Sequence, residues 1–480
     1  MATDNRRRSR AGRSRPAGRD TAARADAGRD TAPRADAAGT SGSGGPVGTD
    51  IELEVTNVAH GGVFVARHEG RVVFVSDAIP GERVRARISE ARHGSFWRAD
   101  TVEVLTPSEH RRPHVWSAAS VDRDPADRAG GAEFGHIELG YQRSLKAIVI
   151  SDALDRMAKL ELAPIVEPAP GDEVPGDEVP AAAAAGEAHR DAATADQAPG
   201  LGWRTRVRLQ VAEDGTVGPY AARSHRVIAV DDLPLATAAV AAAAPLRSSF
   251  PGARSVDVIG PSTGGEIVFP NEPARASASR PHIIRERVGE REFELDARGF
   301  WQVHHQAASV LTRAVQDAVD DASFDPAAAN LDLYGGVGLL AAAVGDRFGR
   351  TTKITSVESA ATATDFAARN LADWVGAAAV TDRVERYVAR AAAQASGVER
   401  GRQRAATVVL DPPRSGAGKA VVGSLLALEP AQIVYVACDP VAFARDVALF
   451  AAGGYEVRAL RAFDLFPHTH HVEVVARLTR

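Results

Sequence analysis

From residue 330 to the C-terminus the chain repeats one pattern: a short apolar run ends in a glycine, an acid or a thiol. Leu331-Asp332-Leu333-Tyr334 enters Gly335-Gly336-Val337-Gly338, then the helical Leu339-Leu340-Ala341-Ala342-Ala343-Val344. Ile354-Thr355-Ser356-Val357 ends in Glu358, and Thr407-Val408-Val409-Leu410 ends in Asp411-Pro412-Pro413-Arg414-Ser415-Gly416. Val434-Tyr435-Val436-Ala437 ends in Cys438. Strand-like runs alternating with helical ones predict a doubly wound α/β sheet. Ligands of such sheets bind outside the C-terminal ends of the strands, where these residues fall.

The glycine turn after the first run lets backbone approach a ligand, and the following helix offers free N–H groups. About 20 residues on, Glu358 is placed to grip ribose hydroxyls. This pair implies a nucleoside-containing ligand, with NAD and S-adenosylmethionine both compatible; the G-x-G-x-x-G spacing is not met, which weighs against NAD. The two prolines make a rigid turn that can present Asp411 to a planar base or cofactor. Cys438 is the only cysteine, so it has no disulfide partner and no second thiol with which to share a metal. A buried structural thiol is the commoner fate of a cysteine, but a strand end is where an activated thiolate is useful. Glu473 interrupts the hydrophobic run Val472 to Ala476; it is either an edge residue facing water or a carboxylate kept for chemistry. His468, His470 and His471 have no accompanying ligand motif, and no metal site is expected.

Upstream, Ile51 to Ile88 contains short strands broken by Gly61-Gly62 and Pro80-Gly81, the pattern of a small barrel. Arg83, Arg85 and Arg87 alternate onto one strand face, and Arg204, Arg206 and Arg208 do the same in a second strand-rich segment. Each row is either a solvated face or a polyanion contact, and two rows favour the second reading. Net charge is −5, so the whole chain is not a basic nucleic-acid binder. Residues 1–49, arginine-rich and nearly devoid of apolar side chains, are expected to be disordered. Residues 164–200, with Gly171-Asp172-Glu173-Val174-Pro175 repeated at Gly176 and followed by alanines, read as an exposed acidic insert lying away from any phosphate-binding surface. With no apolar run of ~18 residues, no membrane span is expected, and the scarcity of cysteine fits a cytoplasmic location.

The segment "AHGGVFVARHEGRVVFVSDAIPGERV" resembles a TRAM domain, an OB-like RNA-binding module. The ordered set "FWQVH", "LDLYGGVG", "SVES", "LDPPRSG", "YVACDPVAFARD" and "FDLFPHTHHVEVV" resembles the S-adenosylmethionine-dependent RNA 5-methyluridine methyltransferases. The resemblance runs from about residue 51 to the C-terminus, apart from the insert. It implies a multidomain α/β protein: a TRAM barrel over 50–107, a strand-rich α+β central domain over 108–295 and a Rossmann-like methyltransferase domain over 296–480. It also implies that residues 136–157 pack against the catalytic domain although they precede the central one. Position by position, Cys438 matches the family nucleophile and Glu473 the general base. Gln302, Tyr334, Gly336, Gly338, Glu358 and Asp411 match positions contacting the methyl donor, and Asp411, Pro412 and Arg414 positions near the target base. The implied cofactor is S-adenosylmethionine and the implied partner is transfer or ribosomal RNA, bound by a monomer.

Several positions depart from the family pattern. Where some members carry an iron–sulfur cluster on cysteines, this chain reads Gly130 to His136 without one, so no cluster is expected. His304 stands where asparagine is usual, Ala437 where serine is, and Leu339 where a polar residue often sits. Two other readings compete with uracil methylation. A base amino-group methyltransferase also uses an acid-Pro-Pro turn, though with an aromatic residue where Arg414 stands. A catalytically silent RNA-binding protein would retain the scaffold without needing both Cys438 and Glu473.

Overall fold

The computed structural model describes residues 47–91, 96–175, 177, 198–271 and 280–480. Most of the arginine-rich N-terminal segment, and residues 176 and 178–197 of the insert, lie outside the described residues.

Five strands, β1 (Asp50–Ala59), β2 (Val63–His68), β3 (Arg71–Ser76), β4 (Arg83–Ala91) and β5 (Phe96–Thr106), close into a barrel in the order β1-β2-β3-β5-β4. The β1–β2 turn is tight because Gly61 and Gly62 take φ of +86° and +73°. Alternation in β4 buries Val84, Ala86 and Ile88 and turns Arg83, Arg85 and Arg87 outward. That arginine row is not free. Arg83 pairs with Glu52 at 2.5 Å, Arg85 with Glu103, and Arg87 with Asp50 at 2.8 Å, all on flanking strands.

After the barrel comes α1 (Leu139–Ala153), whose Ile150 and Ala153 enter the core of the C-terminal sheet, as the resemblance implied. The short β6 (Val166–Pro168) follows. A four-stranded antiparallel sheet, ordered β10-β9-β7-β8, comprises β7 (Arg206–Val211), β8 (Val217–Gly218), β9 (Ser255–Ile259) and β10 (Ile267–Asn271), with α2 (Ala238–Ala243) between β8 and β9. Here two of the three arginines are matched by carboxylates, Arg206 reaching Glu286 at 3.3 Å and Arg208 reaching Asp257 at 2.6 Å, while Arg204 donates to the Arg206 carbonyl at 3.1 Å and lies over the Trp203 ring. The hairpin β11 (Ile283–Val288) and β12 (Arg291–Asp296) leads into α3 (Ala307–Ala318).

The C-terminal elements alternate: β13 (Asn330–Leu333), α4 (Leu339–Phe348), β14 (Ile354–Glu358), α5 (Ala361–Asn370), β15 (Ala377–Thr381), α6 (Val384–Gln394), α7 (Gly397–Arg404), β16 (Thr407–Leu410), α8 (Gly418–Leu428), β17 (Gln432–Ala437), α9 (Pro440–Ala452), β18 (Glu456–Asp464) and β19 (Glu473–Thr479). The sheet order is β15-β14-β13-β16-β17-β19-β18-β6. From β15 to β17 all pairs are parallel, and β13, β16 and β17 are buried throughout, which is why β16 and β17 read as largely apolar runs, while β13 keeps the buried polar Asn330 and Asp332. The chain runs outward to β14 on one side of β13 and to β16 on the other, so a crevice opens between the turns after β13 and β16.

One expectation is corrected. The start of the acidic insert is part of the fold: Val166–Pro168 pairs in parallel with Ala462–Asp464, and Glu167 is buried against Arg461 at 2.7 Å. Asp177 holds Arg143 at 2.5 Å, and Asp172 is buried. The flanking Pro, Gly and Ala composition points these carboxylates to solvent; their partners, Arg143, His304 and Arg461, are remote in sequence and bring them inside.

Candidate active site

The crevice is built from the residues just past each strand end. Tyr334 after β13 takes φ +64°, and Gly336 and Gly338 take +53° and +90°, forming a left-handed turn that aims α4's N-terminus into the opening. A side chain at Gly335 would collide with Ser356 Oγ and the Asp332 carboxylate, so the turn sits directly on β13 and β14. Glu358, at the end of β14, accepts from the Gly336 N–H at 3.3 Å through one oxygen and from the Ala360 N–H at 2.8 Å through the other. It therefore stands at the crevice and is braced by the glycine turn.

Asp332 is fully buried below the turn. One oxygen accepts from Ser356 Oγ at 2.9 Å, and the other has no partner. Burial pushes its carboxyl up to about 6, and the charge of Glu358 adds to this. Asp411, across the crevice, is pushed up to about 7 by burial and then by Asp332. Its turn is held from beneath by Asp446, which accepts from the Ala417 N–H at 2.7 Å and the Tyr435 hydroxyl at 2.8 Å. Pro412 is buried and Arg414 exposed, its guanidinium donating to His471 Nε2 at 3.2 Å. Burial, with the charges of His470 and Arg414, pushes His471 down to about 2, so it is a neutral acceptor.

Cys438 and Glu473 are brought together by strand direction. β19 runs antiparallel to β17 with Ala437 opposite Val474, so the first residue of β19 lies at the edge where β17 ends. Glu473 is 4% exposed, which removes the water-facing reading. Burial raises its pKa well above the usual carboxylate value; Asp411 raises it further and Arg414 opposes. Burial pushes the Cys438 thiol up to about 12; Glu473 and Asp411 add to this, and Arg414 counteracts it. In the free protein the surroundings disfavour the thiolate: three acids, Glu473, Asp411 and Asp439, act on the sulfur against the single guanidinium of Arg414. Asp439, the next residue, caps α9 through the Ala442 N–H at 2.8 Å and bonds His60 of the barrel tip at 2.9 Å.

Gln302 lies on the loop between β12 and α3, half-buried, two residues before the buried His304. Leu339 and Ala437 are both buried, so neither replaces a polar contact with another polar group. The site also contains two residues that sequence reasoning misses, Asp332 and His60. Asp332 sits within an apolar strand and carries a signal as a buried acid, whereas His60 carries none, because its partner is 379 residues away.

These features fit an adenosylmethionine. The glycine turn leaves open space above Gly336, the helix N-terminus and Glu358 suit a nucleoside, and the orphaned oxygen of Asp332 with the raised acids suits a cationic ligand.

Residues 255–480 match the family model described as tRNA (Uracil-5-)-methyltransferase, and residues 46–96 match that of the TRAM domain. An RNA methyltransferase of Streptomyces avermitilis, described as uncharacterized, is 37% identical over 90% of this chain and 98% of its own length. One from Bifidobacterium longum, described in the same way, is 32% identical over 89% and 96%. The crystal structure of Pyrococcus abyssi tRNA (uracil-54, C5)-methyltransferase with S-adenosyl-L-homocysteine shares the fold, with a TM-score of 0.60, 20% identity and coverage of 89% of this chain and 100% of that one. Among the described residues no helix is long and apolar enough to cross a membrane. A barrel, a doubly wound sheet with a nucleoside crevice, and relatives alike over nearly their whole length lead to one conclusion: the chain belongs to the TRAM-containing family of class I S-adenosylmethionine-dependent RNA methyltransferases whose catalytic part is of the uracil-5 type.

Proposed function

We propose that the protein methylates C5 of a uridine in transfer RNA through a covalent adduct with Cys438. The observation that carries this reading is the placement of the one thiol and a buried carboxylate on adjacent antiparallel strands at the crevice mouth, with Ala437 opposite Val474. Uracil C5 is a weak nucleophile, so covalent addition at C6 is needed to activate it. S-adenosylmethionine, when bound, supplies an electrophilic methyl group on a positively charged sulfur, a charge that favours the ionised forms of the acids around it.

Cys438, as thiolate, forms the S–C6 bond, and the C5–C6 π pair moves onto C5 and O4. Once C5 carries the methyl group, the Glu473 carboxylate takes the C5 proton; its raised pKa makes it a stronger base than an exposed glutamate. Re-formation of the C5–C6 double bond then breaks S–C6 and returns the thiolate. Arg414, the cation that acts on both Cys438 and Glu473, favours their charged forms and is held by His471. Asp411 and Pro412 line the base side of the crevice, while Gln302, Tyr334, Gly336, Gly338 and Glu358 hold the donor. The uridine must leave its stack to reach this depth, and the barrel tip, bonded to Asp439, sits beside the entrance.

The test is incubation of 5-fluorouridine-substituted transfer RNA with methyl donor and either wild type or Cys438→Ala. Fluorine cannot leave as a cation, so wild type should form a denaturant-stable protein–RNA adduct that the variant does not. Methyl transfer to base amino groups without an adduct would replace this reading with the amino-methyltransferase one. RNA binding with neither would favour a silent scaffold.

A further inference from the structure

The acidic insert reaches the 302–306 loop through one buried side chain. Asp172 Oδ2 lies 3.1 Å from His304 Nε2, with 8% and 1% of the respective side chains exposed. Asp172 Oδ1 accepts the Gly200 N–H at 2.7 Å, so the two ends of the 172–200 excursion are tied at one neck. Its backbone carbonyl accepts from Arg143 at 2.6 Å. The His304 tautomer is set: Nδ1 accepts the Gln306 N–H at 3.0 Å, leaving Nε2–H to donate to Asp172. The ring stacks on Trp203 at 5.6 Å and 13°.

The rest of the loop is tied to the 203–205 segment. Val303 O accepts from the Thr205 backbone N–H at 2.8 Å and its hydroxyl at 3.0 Å, and His305 N–H donates to Trp203 O at 3.0 Å. Asp172 holds it through the ring of His304. A carboxylate buried at that position carries a desolvation cost, offset by its two N–H donors.

We propose that Asp172 is a positioning residue of the methyl-donor subsite: through His304 it fixes the Gln302–His304 loop, making the neck of the acidic insert a working part of the catalytic domain. This rests on the reading of Gln302 as a donor contact. Asp172 touches no reacting atom. Its effect should therefore fall on donor binding and leave RNA affinity unchanged.

The experiment measures S-adenosylhomocysteine affinity by calorimetry on the full chain, alongside donor KM, kcat and RNA affinity. Asp172→Ala should weaken product binding about tenfold to a hundredfold and raise donor KM in step, with RNA affinity unchanged. Asp172→Asn keeps an acceptor for Nε2–H but turns its NH2 on the Gly200 N–H, so its affinity should fall between those of Asp172→Ala and wild type. Wild-type affinity in Asp172→Ala, or parallel losses of donor and RNA affinity, would overturn the proposal. Should Asp172→Ala fail to fold, hydrogen exchange on wild type decides. Added S-adenosylhomocysteine should slow exchange both at 302–306 and at the neck around Asp172 and Gly200, whereas protection confined to 335–338 would overturn it. A wild type that binds no S-adenosylhomocysteine would instead sink the function proposed above.

Discussion

The barrel wall and the crevice handle charge in opposite ways. On the barrel, Arg83, Arg85 and Arg87 are each matched by a carboxylate on a neighbouring strand. In the crevice, Asp332 and Glu473 are buried with Asp411 and the Cys438 thiol half-buried beside them, and Arg414 is the cation that acts on Glu473 and Cys438. Charge matched in place does little beyond local pairing, while acids held at raised pKa are poised for a ligand that brings its own positive charge. A row of arginines in a sequence is therefore weaker evidence for a phosphate contact than an unmatched buried acid is for a site.

The contrast can be broken most severely at the thiol. Cys438→Ala should lower methyl transfer by roughly 10^4-fold or more while leaving S-adenosylhomocysteine affinity near wild type; calorimetry and single-turnover transfer measure the two separately. Glu473→Gln should slow turnover by about 10^2 to 10^4-fold. Unlike the cysteine variant, it should accumulate a methylated protein–RNA adduct with ordinary uridine RNA, visible as a band shift on a denaturing gel. An inactive Glu473→Gln without adduct would mean the carboxylate acts before addition.

The pH dependence sharpens the comparison further. With the thiol pushed up to about 12 and Glu473 raised, both reactive forms become more populated as pH rises, so the single-turnover rate should climb between pH 6 and 9. A rate that falls over this range would contradict the burial argument. Stability should move the other way. A carboxyl whose folded pKa lies near 7, above its unfolded value, costs stability as pH rises from the usual carboxylate range to about 7, with no further change above. Asp411→Asn should therefore melt higher than wild type by roughly a few degrees at pH 8 and match it near pH 4, in differential scanning fluorimetry. The smallest effect belongs to the matched wall. Replacing Arg83, Arg85 and Arg87 by glutamine should change RNA affinity by less than about threefold and leave the salt slope nearly unchanged; a large drop would show that RNA displaces Asp50, Glu52 and Glu103.

The strand-end motifs are legible because each is local: an apolar run, then Gly335-Gly336, Glu358, Asp411-Pro412 or Cys438 within a few residues, a pattern that parallel strands impose on their own sequence. The barrel is legible from its turns for the same reason. The acidic insert is misjudged at Glu167, Asp172 and Asp177 because composition reports average polarity, not the arrival of Arg143, His304 and Arg461 from elsewhere in the chain.

Chain order along the C-terminal third thus specified the sheet, the glycine turn and the identity of the thiol, since backbone periodicity and turn chemistry act over neighbouring residues. Long-range register specified the rest. Antiparallel pairing of β19 set Glu473 beside Cys438, the barrel tip brought His60 to Asp439, and common burial of acids distant in sequence raised their pKa values. Desolvation and Coulomb interactions depend on separation in space, and separation in space exists only once the chain has folded.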